Sequence, residues 1–165
     1  MVLPPKLDSK SLKKVQYNPF SSGPISSAIP TTEAQREIWA TLALDHDATL
    51  CYNESLALEM HGVVNDEILN LAFQEILKRH DALRSVFSSD GKFFLIQEFT
   101  PRPLRFLNWT QNQNAQKELK ELKDSQVTNK IDLVNGPCFF GTLVQLAPEH
   151  FIFLITGQGN HEISV

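Results

Sequence analysis

Chemistry in this 165-residue chain would have to come from a small set of side chains. Five histidines are present: His46, His61, His80, His150 and His161. Imidazole is the side chain best suited to proton transfer near neutral pH, and it is also a common metal ligand. Spacing argues against metal, because neither an HExxH pair nor a Cys/His cluster occurs, so no metal site is expected. His46 sits in the acidic string Asp45-His46-Asp47 and reads as solvated. His61 ends one predicted strand and His150 begins another, positions typical of edge and turn residues. Cys51 and Cys138 form no CxxC pair and read as reduced, packed thiols. Gly157-Gln158-Gly159 lacks the later glycine and the following helix of a phosphate loop, and no GxSxG elbow is present.

The densest charged segment is 79–87, Arg-His-Asp-Ala-Leu-Arg-Ser-Val-Phe. It lies between a predicted helix end and a strand start. Arg79 and His80 are expected to complement the negative C-terminus of that helix, with Leu83 and Phe87 pointing into the core. Arg84 then leans inward and needs an anionic partner from elsewhere in the fold, because an unpaired buried charge is very costly.

These residues need elements to position them. Thr32 with Gln35 fits a capping box, and Ala34, Ile38 and Leu42 share a face, so a helix is predicted over 32–44. Residues 54–61 alternate, with Leu56, Leu58 and Met60 on one side of a half-buried strand. Asn65 or Asp66 can cap the next helix. Its apolar stripe is Ile68, Leu69, Ala72, Phe73, Ile76 and Leu77, with Lys78 and Arg79 at its negative end. Residues 83–87 and 93–99 read as strands around a Ser-Ser-Asp-Gly turn. Residues 113–126 read as a more polar helix with Ala115, Leu119 and Leu122 inward. Strands 139–146 and 151–156 flank a turn at Pro148-Glu149. The unbroken apolar run 151–155 predicts a strand buried on both faces. The sum is an α+β fold: one mixed sheet with helices packed on it.

Composition agrees with a globular chain. At 42% hydrophobic and 21% charged it is too apolar for disorder, and no run of about eighteen apolar residues predicts a membrane span. A net charge of −4 argues against a dedicated nucleic-acid binder. The start of the chain lacks the apolar stretch of a secretory signal, so a cytoplasmic location is expected. The first thirty residues hold five of the nine prolines and six serines, and four lysines against one aspartate give them +3, leaving −7 for the rest. Proline fixes φ and removes backbone donors, so residues 1–29 read as a linker that joins something upstream or lies along the surface, with order from Pro30.

Four segments together resemble a known family. Residues 32–39 (TEAQREIW) resemble an opening SxAQxRLW motif, and Tyr52-Asn53 a YN pair. Residues 79–87 resemble RHExLRTxF, and Ile131-Asp132-Leu133 with Gly136-Pro137 resembles DLxxGPLFR. In this order they resemble the condensation domain of nonribosomal peptide synthetases, of the chloramphenicol-acetyltransferase-like superfamily, and span residues 30–156. The linker, TEAQREIW and YNES are most similar to condensation domains of hybrid polyketide–peptide assembly lines.

The resemblance implies the N-terminal lobe of a two-lobed enzyme. Carrier proteins would bring an acyl donor and an aminoacyl acceptor on phosphopantetheine arms to a tunnel between the lobes, with no cofactor bound directly. Implied partners are peptidyl and acyl carrier proteins, the missing C-terminal lobe and an upstream synthase module reached through the linker. Neither nucleic acid nor membrane is implied, and self-association through the exposed lobe face is expected. The family hallmark, HHxxxDG, follows a buried strand. Its second His acts as general base or positions the attacking amine, and its Asp pairs with the Arg of the second motif, here Arg84.

That hallmark is not intact. In one register His161 is the second His, Asn160 replaces the first and Val165 stands at the Asp. In the other, Thr156-Gly157 matches a preceding TG, and Gln158 and Gly159 replace both histidines. Neither supplies the Asp, so Arg84 lacks its expected partner; Glu162 is one substitute. His161 is the candidate catalytic residue, with Arg84, Arg79 and His80 as structural residues beside it. Residues 157–165 read either as a tail foreign to the domain or as part of a naturally degenerate, truncated lobe. Either way the chain is expected to be catalytically incomplete. Two other classes stay open: a non-catalytic module that docks a carrier protein or partner synthetase, and a fragment of a CoA-dependent acyltransferase.

Overall fold

The apolar run near the C-terminal end organises the molecule. The computed structural model describes residues 24–44, 50 and 52–158. In chain order its elements are β1 (Ile25–Pro30), α1 (Glu33–Leu44), β2 (Asn53–His61) and α2 (Asp66–Arg79). A 3-10 turn (Asp81–Arg84) follows, then β3 (Ser85–Phe87), β4 (Phe93–Gln97), β5 (Arg105–Asn108), α3 (Ala115–Thr128), β6 (Phe139–Ala147) and β7 (His150–Gln158). β7 lies inside a four-stranded sheet of order β2-β7-β6-β5. It is antiparallel to β2 and β6, and β5 runs parallel to β6, so this sheet is mixed. The period of two sends Phe151 and Phe153 to one face, against Phe73 and Leu77 of α2 and Leu143 of β6. Ile152 and Leu154 go to the other face, against Leu119 of α3 and Val144. The strand is thus buried on both faces, and the α+β class holds.

The sheet count differs from expectation. A second, three-stranded antiparallel sheet of order β1-β4-β3 stands beside the first. Its outer strand, β1, takes in residues 25–29, which the proline and serine content assigned to a linker. The reason is positional. Pro24 lies just before the strand and Pro30 is its last residue, on an edge, where proline's missing N–H leaves the ladder intact. The ordered body therefore begins at Ile25 rather than Pro30; residues 1–23 lie outside the described residues. β5 also went unread: four residues are too few to show a period. Residues 81–84 form the 3-10 turn, so the strand predicted over 83–87 begins at Ser85.

The helix starts follow the sequence. Thr32 N donates to Gln35 Oε1 at 2.9 Å, and Gln35 N donates to Thr32 Oγ1 at 3.3 Å, a reciprocal capping box. Asn65, not Asp66, caps α2, its Oδ1 accepting from Ile68 N at 2.9 Å. Of the α2 stripe, Phe73 and Leu77 are buried, while Ile68 and Ile76 are exposed. The polar side of α2 has its own task. Pro101 and Pro103 keep residues 101–104 out of a ladder, and side chains of α2 satisfy their backbone instead. Arg102 N donates to Gln74 Oε1 at 2.8 Å, and Leu104 N donates to Asn70 Oδ1 at 2.9 Å.

Gly91 closes the β3–β4 turn with φ +69°, and the indole of Trp39 lies so close that a Cβ there would sit 2.3 Å from it. Gly62 also has positive φ (+115°) but has nothing within 4 Å. Gly91→Ala should cost about 2–5 kcal/mol, strain and overpacking together, and Gly62→Ala about 1–3 kcal/mol from strain alone. Urea denaturation of both variants checks this; equal costs would contradict the packing of Trp39 on the turn.

Candidate functional site

Arg84 is where the 79–87 segment turns inward, only 8% exposed. Its Nε donates to Leu77 O at 2.9 Å, Nη1 to Gln97 O at 3.0 Å, and Nη2 to Lys78 O at 3.3 Å and to the Asp81 carboxylate. Four of the guanidinium's five N–H donors are engaged. Among the described residues, the anion on the guanidinium is a local one. The 3-10 turn brings Asp81, three residues earlier, back onto the guanidinium, while main-chain oxygens accept the other bonds. Arg79 and His80 are exposed, and the His80 N–H closes α2 on Ile76 O. The cation that hydrogen-bonds the end of α2 is therefore Arg84.

Three of the four motif segments meet around the smaller sheet. Phe87 N donates to Leu133 O at 2.8 Å, fastening β3 to the 131–137 loop. That loop is built by Asp132. Its Oδ1 accepts from Val134 N and Asn135 N, and its Oδ2 accepts from Asn135 Nδ2 at 2.7 Å. Partial burial acts to raise the Asp132 pKa, but these hydrogen bonds outweigh it and hold it below the ordinary carboxylate value. Gly136, at φ +66°, lies against Val86, and Ile131 and Cys138 pack with Val86 and Leu95. The opening motif contributes Trp39, which packs on Gly91 and with Leu42 lines a cavity of about 390 Å³ beside residues 130–134.

Cys138 is not poised as a nucleophile. Burial pushes its thiol up to about 12, the Asp132 charge adds to this, and Arg102 offsets part of it. Arg102 is itself lowered from its ordinary value by burial, with Cys138 opposing and Arg84 reinforcing. Cys51 lies outside the described residues.

The fourth segment lies at the exit of β7. Asn53 Nδ2 donates to Val127 O at 3.1 Å and Asn129 O at 2.7 Å, tying β2 to the end of α3. Beside it the buried Thr156 hydroxyl donates to Gln126 Oε1. With that proton committed, Ser55 Oγ is the donor in its 3.1 Å contact with Thr156. Gln158, which one register puts in place of the first hallmark His, is buried within the strand opposite Asn53. Its N–H donates to Cys138 O at 3.2 Å. The strand thus ends on a buried polar cluster and leads the chain into residues 159–165. His161, Asn160, Glu162 and Val165 lie in that segment, outside the described residues, as does His46.

One grouping was missed. Glu59, His61 and His150 stand together at the far end of the β2–β7 pair, the one set of three such ligand-bearing residues found among the described residues. His61 and His150 are 89 positions apart, and only the β2–β7 register, which pairs them directly, brings them together. No local spacing could have shown it.

Comparison with known proteins gives a consistent result. The sequence model of the Condensation domain family matches residues 25–157. Malpinin synthetase of Mortierella alpina is 28% identical over 130 residues, 78% of this chain and 2% of the relative. A dimodular nonribosomal peptide synthase of Bacillus subtilis (strain 168) is 27% identical over 128 residues, 77% of this chain and 5% of the relative. The chain therefore spans a small part of the relatives it matches. Among solved structures, the starter condensation domain of rhizomide synthetase superposes with a TM-score of 0.73 at 20% identity. That match covers 82% of this chain and 34% of the other, and establishes the fold.

Arg84→Ala strips the partner from three carbonyls and from the largely solvated Asp81 carboxylate, and should cost about 1–3 kcal/mol. Arg84→Lys should recover little of this, because an ammonium cannot reproduce the fork. Denaturation curves check both, and near-wild-type stability of Arg84→Lys would contradict the four-bond assignment. In a Cys51→Ser background, Cys138 is a thiolate in only about one molecule in ten thousand at pH 8. Its labelling by a disulfide reagent should then track unfolding, and fast labelling of the folded chain would overturn its assigned burial.

Proposed function

Because the chain belongs to the condensation domain family, we propose that it is the N-terminal lobe of a domain that forms amide bonds in nonribosomal peptide biosynthesis. In the full-length context a carrier-bound acyl thioester would be attacked by the amine of a carrier-bound aminoacyl group. The C–N bond forms, the C–S bond breaks, the thiol of the donor arm leaves, and the proton on nitrogen must be taken up. The observation that carries this reading is the match itself. It runs over the whole described body from β1 to the end of β7, while the chain covers about a third of a solved condensation domain.

His161 is the residue we assign to the proton or to orienting the amine. In sequence His161 lies three residues beyond the end of β7, a strand buried on both faces. Arg84 acts at a distance, bracing α2, the 3-10 turn and β4 together. Arg79 and His80, exposed beside it, are assigned no contact with substrate. We assign the Pro- and Lys-rich start of the chain to the connection with an upstream module, and delivery of both substrates to phosphopantetheine arms of carrier proteins. No described helix is long and apolar enough to cross a membrane.

A single lobe holds half of a two-walled site, so the reacting groups lack the fixed approach that turns a bimolecular step into a unimolecular one. The exposed apolar side chains of α2 (Ile68, Leu71, Ile76) and β2 (Leu56, Leu58) support the same reading, since a lobe separated from its partner keeps such surface.

The test uses the chain extended by its own coding sequence through a second lobe. Incubated with loaded donor and acceptor carriers, the extended protein should yield the carrier-bound condensation product. Substitution of its hallmark His by Ala should slow this by at least about a hundredfold. The 165-residue chain alone should give no product above background. Absence of product from the extended protein would overturn the enzymatic reading and leave a docking module, for which saturable binding of carrier protein to this chain is the measurement.

A further inference from the structure

The grouping at the closed end of the β2–β7 pair has no part in that chemistry. It sits where the β6–β7 hairpin turns, at the opposite end of β7 from residues 159–165. Glu59 and His61 are two apart on β2 and therefore project from the same face. His150, the first residue of β7, is the direct cross-strand partner of His61. Three side chains that can each give a lone pair are thus held on one face by strand register, not by loops.

Their geometry is convergent. The imidazole rings of His61 and His150 stack with centroids 4.7 Å apart and planes 16° apart. Both Nε2 atoms turn to the same carboxylate oxygen: His150 Nε2 is 2.7 Å from Glu59 Oε1, and His61 Nε2 is 3.4 Å from it. All three ligand atoms lie within 4.8 Å of one another. A tetrahedral Zn²⁺ with ligands at about 2.0–2.2 Å separates neighbouring ligand atoms by about 3.3–3.6 Å. The Glu59 contacts of 2.7 and 3.4 Å lie at or below that separation, so seating an ion requires Glu59 to draw back from His150 and the stacked imidazoles to rotate until their lone pairs converge. The side chains are free enough to do so, at 71% exposure for His61, 58% for Glu59 and 29% for His150.

We propose that Glu59, His61 and His150 form a binding site for a divalent transition-metal ion of borderline softness, for which Zn²⁺ is the probe. Two imidazoles and one carboxylate suit Zn²⁺, and also Ni²⁺ and Cu²⁺, while the hard ion Mg²⁺ prefers an all-oxygen shell. Three protein ligands leave a coordination position open to water or to a donor from another molecule. The ion would clip β2, the edge strand, to β7 at the end of the sheet. Because the three ligands converge only in the folded chain, binding raises the melting temperature.

Calorimetric titration of ZnCl₂ into the untagged 165-residue chain tests this. The expected result is saturable 1:1 binding with a matching rise in melting temperature, and none with MgCl₂. His61→Ala and His150→Ala should each weaken binding at least about tenfold, and Glu59→Gln by less. A triple variant lacking the side chains of His46, Cys51 and His161 should bind as the parent does. Imidazole ¹⁵N signals of the unsubstituted chain give a readout that needs no variant: those of His61 and His150 should shift with Zn²⁺. No saturation below about 1 mM Zn²⁺, far weaker than protein zinc sites, would overturn the proposal. So would undiminished affinity in the His61→Ala/His150→Ala double variant, or shifts confined to other histidines.

Discussion

A strand with two dry faces has to be covered twice, and most of this architecture follows from covering β7. Phe151 and Phe153 need an apolar partner on one side, and α2 supplies Phe73 and Leu77. Ile152 and Leu154 need one on the other, and α3 supplies Leu119. An interior strand also needs two ladders, which β2 and β6 provide over nearly its full length. Each neighbour is then fixed in turn. β2 is held by its register and by Asn53, whose side-chain amide reaches the backbone at the end of α3. α2 is held by its core face and by Asn70 and Gln74, which dock the proline-bearing segment on its polar side.

The smaller sheet is fastened by a different kind of force. Its charged bolt is Arg84, which joins the stretch from the end of α2 into the 3-10 turn to the end of β4 through three carbonyls and a carboxylate. A buried cation is costly unless its donors are satisfied. Here Asp81, which keeps its own side chain largely in water, neutralises it without a second burial. This differs from what the family resemblance implied, where the hallmark Asp would complete Arg84. Among the described residues, the guanidinium takes its neutralising charge from Asp81 and its other bonds from main-chain carbonyls.

What the sequence discloses, and what it withholds, follows from range. Local patterns were legible. The Thr32–Gln35 box, the Asn65 cap, the Ser-Ser-Asp-Gly turn and the two-faced run at 151–155 all appear where their residue types place them. Composition misled at 25–29, because proline content says nothing about whether the prolines sit at a strand's ends or in its middle. Partners at long range were hidden. The anion for Arg84 was sought at a distance when the turn supplied it locally. The meeting of His61 with His150, sought nowhere, depends on a register that no local spacing reveals. Resemblance to a family reached further than periodicity did, since it placed four separate segments in one fold before any contact was known.

The two ends of β7 are consequently unequal in kind. At its start the strand brings together three titratable side chains from two strands, Glu59 and His61 exposed and His150 half-buried. At its end the buried Thr156 and Gln126 hydrogen-bond each other, with Ser55 joining Thr156 from the exposed strand β2. A buried strand end suits the proposed acyl transfer, since such a reaction would need its scaffold to position groups to a fraction of an ångström. Rigidity on one side is not sufficient, though. In the proposed reaction the attacking amine would come from an opposite wall, and Leu56, Leu58, Ile68 and Leu71, exposed here, are surface of the kind such a wall would cover. The burial that makes β7 a platform is supplied by elements of this chain, α2, α3, β2 and β6, whereas the proposed reaction would need a second wall as well.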